Sequence, residues 1–306
     1  MPLLPLSIVL LSSLLIAPAA VSAQADAYQQ ALEKFKNKQY LEALTAAERA
    51  VRQDENNAQR LHLYGLVLAA LERFAPAEEN LRKAIALAPD EASFQYDLGY
   101  LLHQEKKYPE ALPVLKRAVE LDPENLMARF MLARTYVFSF HELQIPNFVQ
   151  LTLDQLNYIV KRNPRFPAVH HHLALVYINS GEHAKALEEL KTELQFYPRN
   201  TQARLELGET LLRLNQSRMA AEQLVIAARQ APQMPAVQYG LAKAYKAEGQ
   251  TAKALAAAQR CVELNPQFAD GHYLLGQLYR DSNQPDLAKE QFELFRRLKG
   301  STAPSR

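Results

Sequence analysis

Small residues recur along this chain at a fixed step, and that step limits the possible folds more than any other feature. Ala31, Gly65, Gly99 and Ala133 stand 34 residues apart; after one longer step of 41 the series resumes at Ala174, Gly208, Ala242 and Gly276. A period of this size marks stacked supersecondary units. Twelve residues beyond most of these positions lies a second small residue: Ala43, Ala77, Ala111, Ala186, Ala220, Ala254 or Ala288. A larger side chain then follows four residues on, as in Leu81, Leu115, Leu190, Leu224 and Phe292, and a small one three further, as in Ala50, Ala84, Ala118, Ala227 and Cys261. Steps of three and four fall on one face of an α-helix.

Six of the units close at a proline, namely Pro89, Pro123, Pro164, Pro198, Pro232 or Pro266, and proline stops the helix before it. Turn signals divide the units in two at Glu105-Lys106-Lys107-Tyr108, Ser180-Gly181-Glu182-His183, Glu248-Gly249-Gln250 and Asn283-Gln284-Pro285. A unit therefore reads as a helix, a turn and a second helix. Composition agrees: of 306 residues 48% are hydrophobic, only 9 are Gly and none is Trp, and the common residues lose little freedom in a helix. Lys plus Arg total 35 against 33 acidic residues, so no strong overall field draws nucleic acid to the surface.

The run Tyr96-Asp97-Leu98-Gly99-Tyr100-Leu101-Leu102, followed by Tyr108-Pro109-Glu110-Ala111 and then Leu115, Ala118 and Pro123, closely resembles the tetratricopeptide repeat. The resemblance covers residues 24–300 and implies an all-α solenoid of antiparallel helix pairs wound into a right-handed superhelix, with first helices lining a concave groove. The expected units are 24–57, 58–91, 92–125, 126–166, 167–200, 201–234, 235–268 and 269–300, with 301–306 a flexible tail. Some relatives clamp a partner's terminal carboxylates with Lys, Asn and Arg; here the corresponding surface carries Tyr28, Leu32, Leu63, Ser93 and Asp97, so that activity is not expected.

Three places depart from the pattern. The first unit is polar, with Gln30 and Lys34 where Leu98 and Leu102 stand in the third, as suits an end cap. The fourth holds about seven extra residues within Phe138 to Phe148, and Thr152 and Ile159 replace small residues. Its Phe138, Phe140, Ile145 and Phe148 are expected to pack over a neighbouring unit, or else to bind a partner. The last helix carries Leu287, Phe292, Leu294, Phe295 and Leu298 with no later unit to cover them. The expectation is that they fold onto the partner helix at Leu275 and Tyr279; self-association is the other reading.

Residues 1–23 hold no charged side chain and run apolar from Leu3 to Ala17, with Val21 and Ala23 placed for cleavage after Ala23. This reads as a signal peptide, although no Lys or Arg precedes the apolar run. A periplasmic or secreted chain follows as the expectation, with no stable membrane insertion once the signal is cleaved. The single Cys261 has no partner within the chain and reads as a small buried hydrophobe.

Three residues before each small residue of the first helices stand Tyr28, His62, Tyr96, Phe130, His171, Leu205, Tyr239 and Tyr273, rings at seven of eight places. The resemblance places them on the groove, as a ladder suited to a peptide; the alternative is that each ring fills space between first helices. Tyr100, Arg134, Lys243 and Lys246 extend the same stripe, whose carboxy-terminal part looks basic despite Glu209. The expected function is a non-enzymatic scaffold binding a protein, as an extended peptide or a partner helix, with no cofactor or metal. His170, His171 and His172 fan out by about 100° each on a helix and cannot share an ion. Binding of a glycan by the rings and an enzyme site near His141 and Glu142 are the other hypotheses.

Overall fold

The computed structural model describes residues 26–143 and 147–301, apart from the side chains of 140–143 and 301. The signal peptide and its cleavage point, the Phe140 and Ile145 side chains, the His141–Glu142 pair and the tail beyond Ser301 lie outside the described residues. Sixteen α-helices make up the described chain. They are α1 (Ala27–Lys36), α2 (Tyr40–Gln53), α3 (Ala58–Ala70), α4 (Phe74–Leu87), α5 (Ala92–Gln104), α6 (Tyr108–Leu121), α7 (Leu126–Leu143) and α8 (Phe148–Arg162). Then come α9 (Val169–Asn179), α10 (His183–Phe196), α11 (Thr201–Arg213), α12 (Ser217–Gln230), α13 (Pro235–Ala247), α14 (Thr251–Leu264), α15 (Ala269–Asp281) and α16 (Pro285–Ser301). They form two compact units, Met1–Ile159 and Val160–Arg306.

In each unit the periodic small residues are the core. Ala31, Ala174 and Ala242 on first helices, and Ala43, Ala77, Ala111, Ala186, Ala220 and Ala254 on second helices, have 0% exposure. Leu81, Leu115, Leu190 and Leu224 are equally buried. Close approach is the reason for the glycines: a Cβ on Gly99 would sit 2.5 Å from Leu115 Cγ, and one on Gly208 2.5 Å from Leu224 Cγ. In the fourth pair Thr152, Leu156 and Ile159 occupy the same core positions, also at 0% exposure. The Thr152 hydroxyl is satisfied by donating to the Phe148 carbonyl at 2.7 Å.

The turn inside each pair has one backbone form. Lys38, Glu72, Lys106, Gly181, Asn215, Gly249 and Asn283 all take positive φ, and the next amide reaches back five residues, as in Lys107 N to Leu102 O at 2.9 Å and Gln284 N to Tyr279 O at 2.9 Å. This left-handed helix end satisfies carbonyls that the helix leaves open. Asn147, also at positive φ, is the same turn residue displaced by the insertion, so the extra residues fall before it. They lengthen α7 to 18 residues against 13 in α5.

Candidate functional site

Consecutive first helices touch directly, α1 on α3, α3 on α5 and α5 on α7 in the amino-terminal unit, and α11 on α13 and α13 on α15 in the carboxy-terminal one. Among the described residues no second helix meets the next second helix in this way. Within each unit these first helices are thus the more closely gathered, and their outward stripes make up the first-helix face of that unit.

The rings along that face divide between the two readings of the series. Tyr96, Phe130, His171 and Leu205 are buried, with Phe130 at 2% exposure. Tyr28, Tyr100 and Tyr239 are half-buried and Tyr273 is exposed. A ring three residues before the small residue lies close to the helix–helix seam, so most of its area is used in packing.

The two histidines of the series carry polar links instead. His62 Nε2 meets Asp97 Oδ2 at 2.8 Å, and the His62 ring stacks on Phe94 at 4.1 Å. His171 Nε2 meets Glu206 Oε2 at 2.7 Å, with Gln202 donating to the other carboxylate oxygen. Each pair spans 35 residues and ties a first helix to the next. His170 and His172 face elsewhere: His170 reaches Glu189 at 2.6 Å and the Pro164 carbonyl at 3.0 Å, while His172 Nδ1 donates to the Ala168 carbonyl. Three adjacent histidines thus serve three separate structural contacts. Glu193, a carboxylate at 1% exposure, accepts from the His171 amide and from Asn200 Nδ2 and joins α9, α10 and α11.

Charge on the face is also distributed differently from the expectation of a basic carboxy-terminal stripe. Lys246 Nζ lies 3.6 Å from Asp281 Oδ2 and 2.7 Å from Gln277 Oε1, and Arg280 also points to Asp281. Burial raises the Glu209 carboxyl above its usual range, against the opposing charge of Lys243. Lys243 in turn sits 5.4 Å from the Tyr239 ring. The basic residues there have acidic neighbours.

The α5–α7 part of the amino-terminal unit differs. Tyr96 and Tyr100 lie one turn apart on α5, their rings 6.3 Å from each other, and Gln104 donates to the Tyr100 hydroxyl at 2.8 Å. Phe130, Arg134 and Phe138 lie one turn apart on α7. The Arg134 guanidinium is 6.0 Å from the Phe130 ring, and its Nη1 contacts Met131 Sδ at 3.8 Å. Phe138 stacks on Tyr108 at 5.8 Å and meets His103 edge-on at 5.6 Å, yet keeps 50% of its area exposed. Phe138 thus packs on the preceding pair and also leaves an apolar shelf at its exposed edge, one turn along α7 from Arg134. Thr135 gives its proton to the Met131 carbonyl at 2.8 Å, so its oxygen can only accept from His103 Nδ1 at 2.9 Å. Burial, helped by the charge of Arg134, pushes His103 down to about 4, and the ring is neutral.

At the other end, Phe292 and Phe295 pack on Tyr273 at 5.8 and 5.0 Å, and Phe292 lies where a Cβ on Gly276 would be. Leu287 remains exposed. Cys261 is fully buried and its thiol is raised to about 11 by that burial.

Stacked antiparallel helix pairs with small residues at the seams define an all-α solenoid. Residues 64–125, 235–278 and 269–295 match models of the tetratricopeptide repeat, and the chain is a tetratricopeptide-repeat protein. It is 26% identical over 242 residues to mouse tetratricopeptide repeat protein 21B, covering 70% of this chain and 18% of that one. It is 26% identical over 162 residues to the Caenorhabditis elegans tetratricopeptide repeat-containing protein trd-1, covering 52% of this chain and 20% of that one. The chain thus spans a fifth or less of these relatives. Among solved structures, PilW, a type IV pilus biogenesis factor, is similar with a TM-score of 0.59 at 20% identity, over 70% of this chain and 96% of that one. Pseudomonas aeruginosa PilF gives 0.59 at 19% identity, over 72% and 96%. The Cut9–Hcn1 structure gives 0.60 at 15% identity, over 82% and 48%. These likenesses concern the fold.

Proposed function

We propose that this chain is an exported, non-enzymatic scaffold that holds an extended peptide or a partner helix against its first helices, in envelope assembly or secretion. The observation that carries the reading is the gathering of first helices into one face in each unit. Tyr28 and Tyr100 are half-buried on that face in one unit, as are Tyr239 and Lys243 in the other. Half-buried aromatic rings give a partner rigid contact area at low entropic cost. The apolar, uncharged residues 1–23 support export.

The test is site-specific photo-crosslinking in the intact envelope, with a photoreactive residue at Tyr28, Tyr100 or Tyr239 and, for comparison, at the exposed second-helix positions Leu87 and Met219. Partner adducts confined to the first-helix positions are expected. Adducts only at the second-helix positions would refute the reading. Sequencing the amino terminus of the exported chain, expected at Gln24, tests the signal.

A further inference from the structure

Arg134, on the first-helix face, is a basic residue whose charge is not answered among the described residues. Neither an ion pair nor a hydrogen bond to an oxygen reaches it among the described residues, and its Nε is buried with no hydrogen-bond partner. Burial lowers its pKa, and the groups that act against this are the hydroxyls of Tyr100, Tyr96 and Tyr108, with no carboxylate among them. The nearby His103 is neutral at neutral pH and adds no second positive charge. Lys107, in the turn between α5 and α6, is by contrast held by Glu78 at 2.8 Å and Glu105 at 3.4 Å. A guanidinium withdrawn from water without an anion is costly to keep. It is also planar and forked, the shape that takes a carboxylate by two parallel hydrogen bonds. One turn further along α7 lies the half-exposed ring of Phe138.

We propose that Arg134 is the anchor of the docking face, and that its occupant is an extended peptide presenting an Asp or Glu side chain to the guanidinium, with an apolar neighbour seated on Phe138 and Tyr100. The inference rests on the peptide-scaffold reading and names the chemistry of the peptide. Charge complementarity selects this occupant: a neutral apolar helix would bury the guanidinium further and leave it unpaired.

The experiment selects from a displayed library of ten-residue peptides with the whole chain as bait, then titrates the best binder, blocked at both ends, by fluorescence anisotropy. Binders are expected to share an acidic residue next to an apolar one. Arg134→Gln is expected to weaken them by about tenfold or more, and Arg134→Lys by less, since Lys keeps the charge and loses the fork. Changing the peptide's acidic residue to its amide should cost the same, with no additional loss against Arg134→Gln. Arg134→Gln is also expected to melt at or above the parent temperature, because an unpaired charge is removed; a purely structural arginine would lower it. If binders are selected without an acidic residue, or bind Arg134→Gln as well as the parent, the Arg134 proposal falls while the scaffold reading survives. If no peptide is selected, both fall.

Discussion

Arg129 Nε donates to the backbone carbonyl of Pro123 at 2.8 Å, six residues back, while its Nη1 donates to Gln155 Oε1 at 2.8 Å on the second helix of the same pair. The contact recurs. Gln95 donates to the Pro89 carbonyl, His170 to Pro164, Arg204 to Pro198 and His272 to Pro266. His170, Arg204 and His272 also reach a second-helix side chain 19 residues on, at Glu189, Gln223 and Gln291. At these five places a proline follows the end of a second helix, and the side chain six residues later satisfies its carbonyl and fixes the linker to the pair that follows.

Arg129→Met should therefore lower stability by about 1 kcal/mol, from the lost charge-assisted bonds. The Arg129 guanidinium also covers the Tyr158 ring at 3.7 Å, whose hydroxyl holds Glu124. A double-mutant cycle with Gln155→Leu, measured by urea unfolding, should show positive coupling; additive effects would mean the linker is held by something else.

Gly99→Ala sets two effects against each other. Alanine gains about 1 kcal/mol of helix propensity over glycine, whereas the added methyl would stand 2.5 Å from both Cγ and Cδ2 of Leu115, a core side chain with no room to retreat. Overpacking of a tight core costs about 1–3 kcal/mol. A net loss is expected, read as a melting temperature lower by a few degrees, and Leu115→Ala in the same chain should recover part of it. An unchanged or raised melting temperature would mean that α5 and α6 separate easily.

The fold was legible because its packing depends on residue size, and size is visible in sequence. Ala, Gly and Leu at steps of 34 marked the buried seams of the regular pairs, and the step of 41 located the insertion before Asn147. The site was only partly legible. The residues of the groove stripe were found, but spacing alone does not say how far a ring leans into the seam, so Tyr96 and Phe130 looked available when they are buried. Charge pairing was hidden for a similar reason: Asp281 lies on the next first helix, 35 residues beyond Lys246. The linker contact left a readable signal, a donor side chain six residues after each of five helix-ending prolines. Only two of the seven residues that close the regular turns are glycine, so glycine alone underreports these turns.

Cys261 is a timer for local opening. Its thiol is fully buried, and burial raises it to about 11, while thiolate is the reactive form. At neutral pH the folded chain should react with a thiol reagent far more slowly than the urea-unfolded chain, and moderate urea should accelerate labelling in step with unfolding of α14. Rapid labelling without urea would show that the α13–α16 pairs open independently of the rest.

Two histidines should give the stability of this protein opposite pH dependences. His170 has an acceptor on each ring nitrogen, the Glu189 carboxylate and the Pro164 carbonyl, so it is held as the imidazolium. Burial opposes this, but the hydrogen bond and charge of Glu189 outweigh it and the pKa is raised above 6.5. The folded state thus keeps a proton that the unfolded chain gives up, and this stabilisation, complete below the unfolded value, is lost as pH rises through the folded one. His103 is the reverse. Burial, then Arg134, lowers it to about 4, so between 6.5 and 4 the unfolded chain binds a proton that the folded chain refuses, and stability falls with falling pH. Urea unfolding across pH 4 to 9 should show a shallower acid limb in His103→Gln than in the parent. His170→Gln should lose most at acid pH and least at alkaline pH. Imidazole proton resonances provide the direct reading: His103 should stay neutral down to about pH 4 and His170 should titrate above its ordinary value. A His103 resonance titrating near 6.5 would mean that the shelf beside Arg134 is open to water.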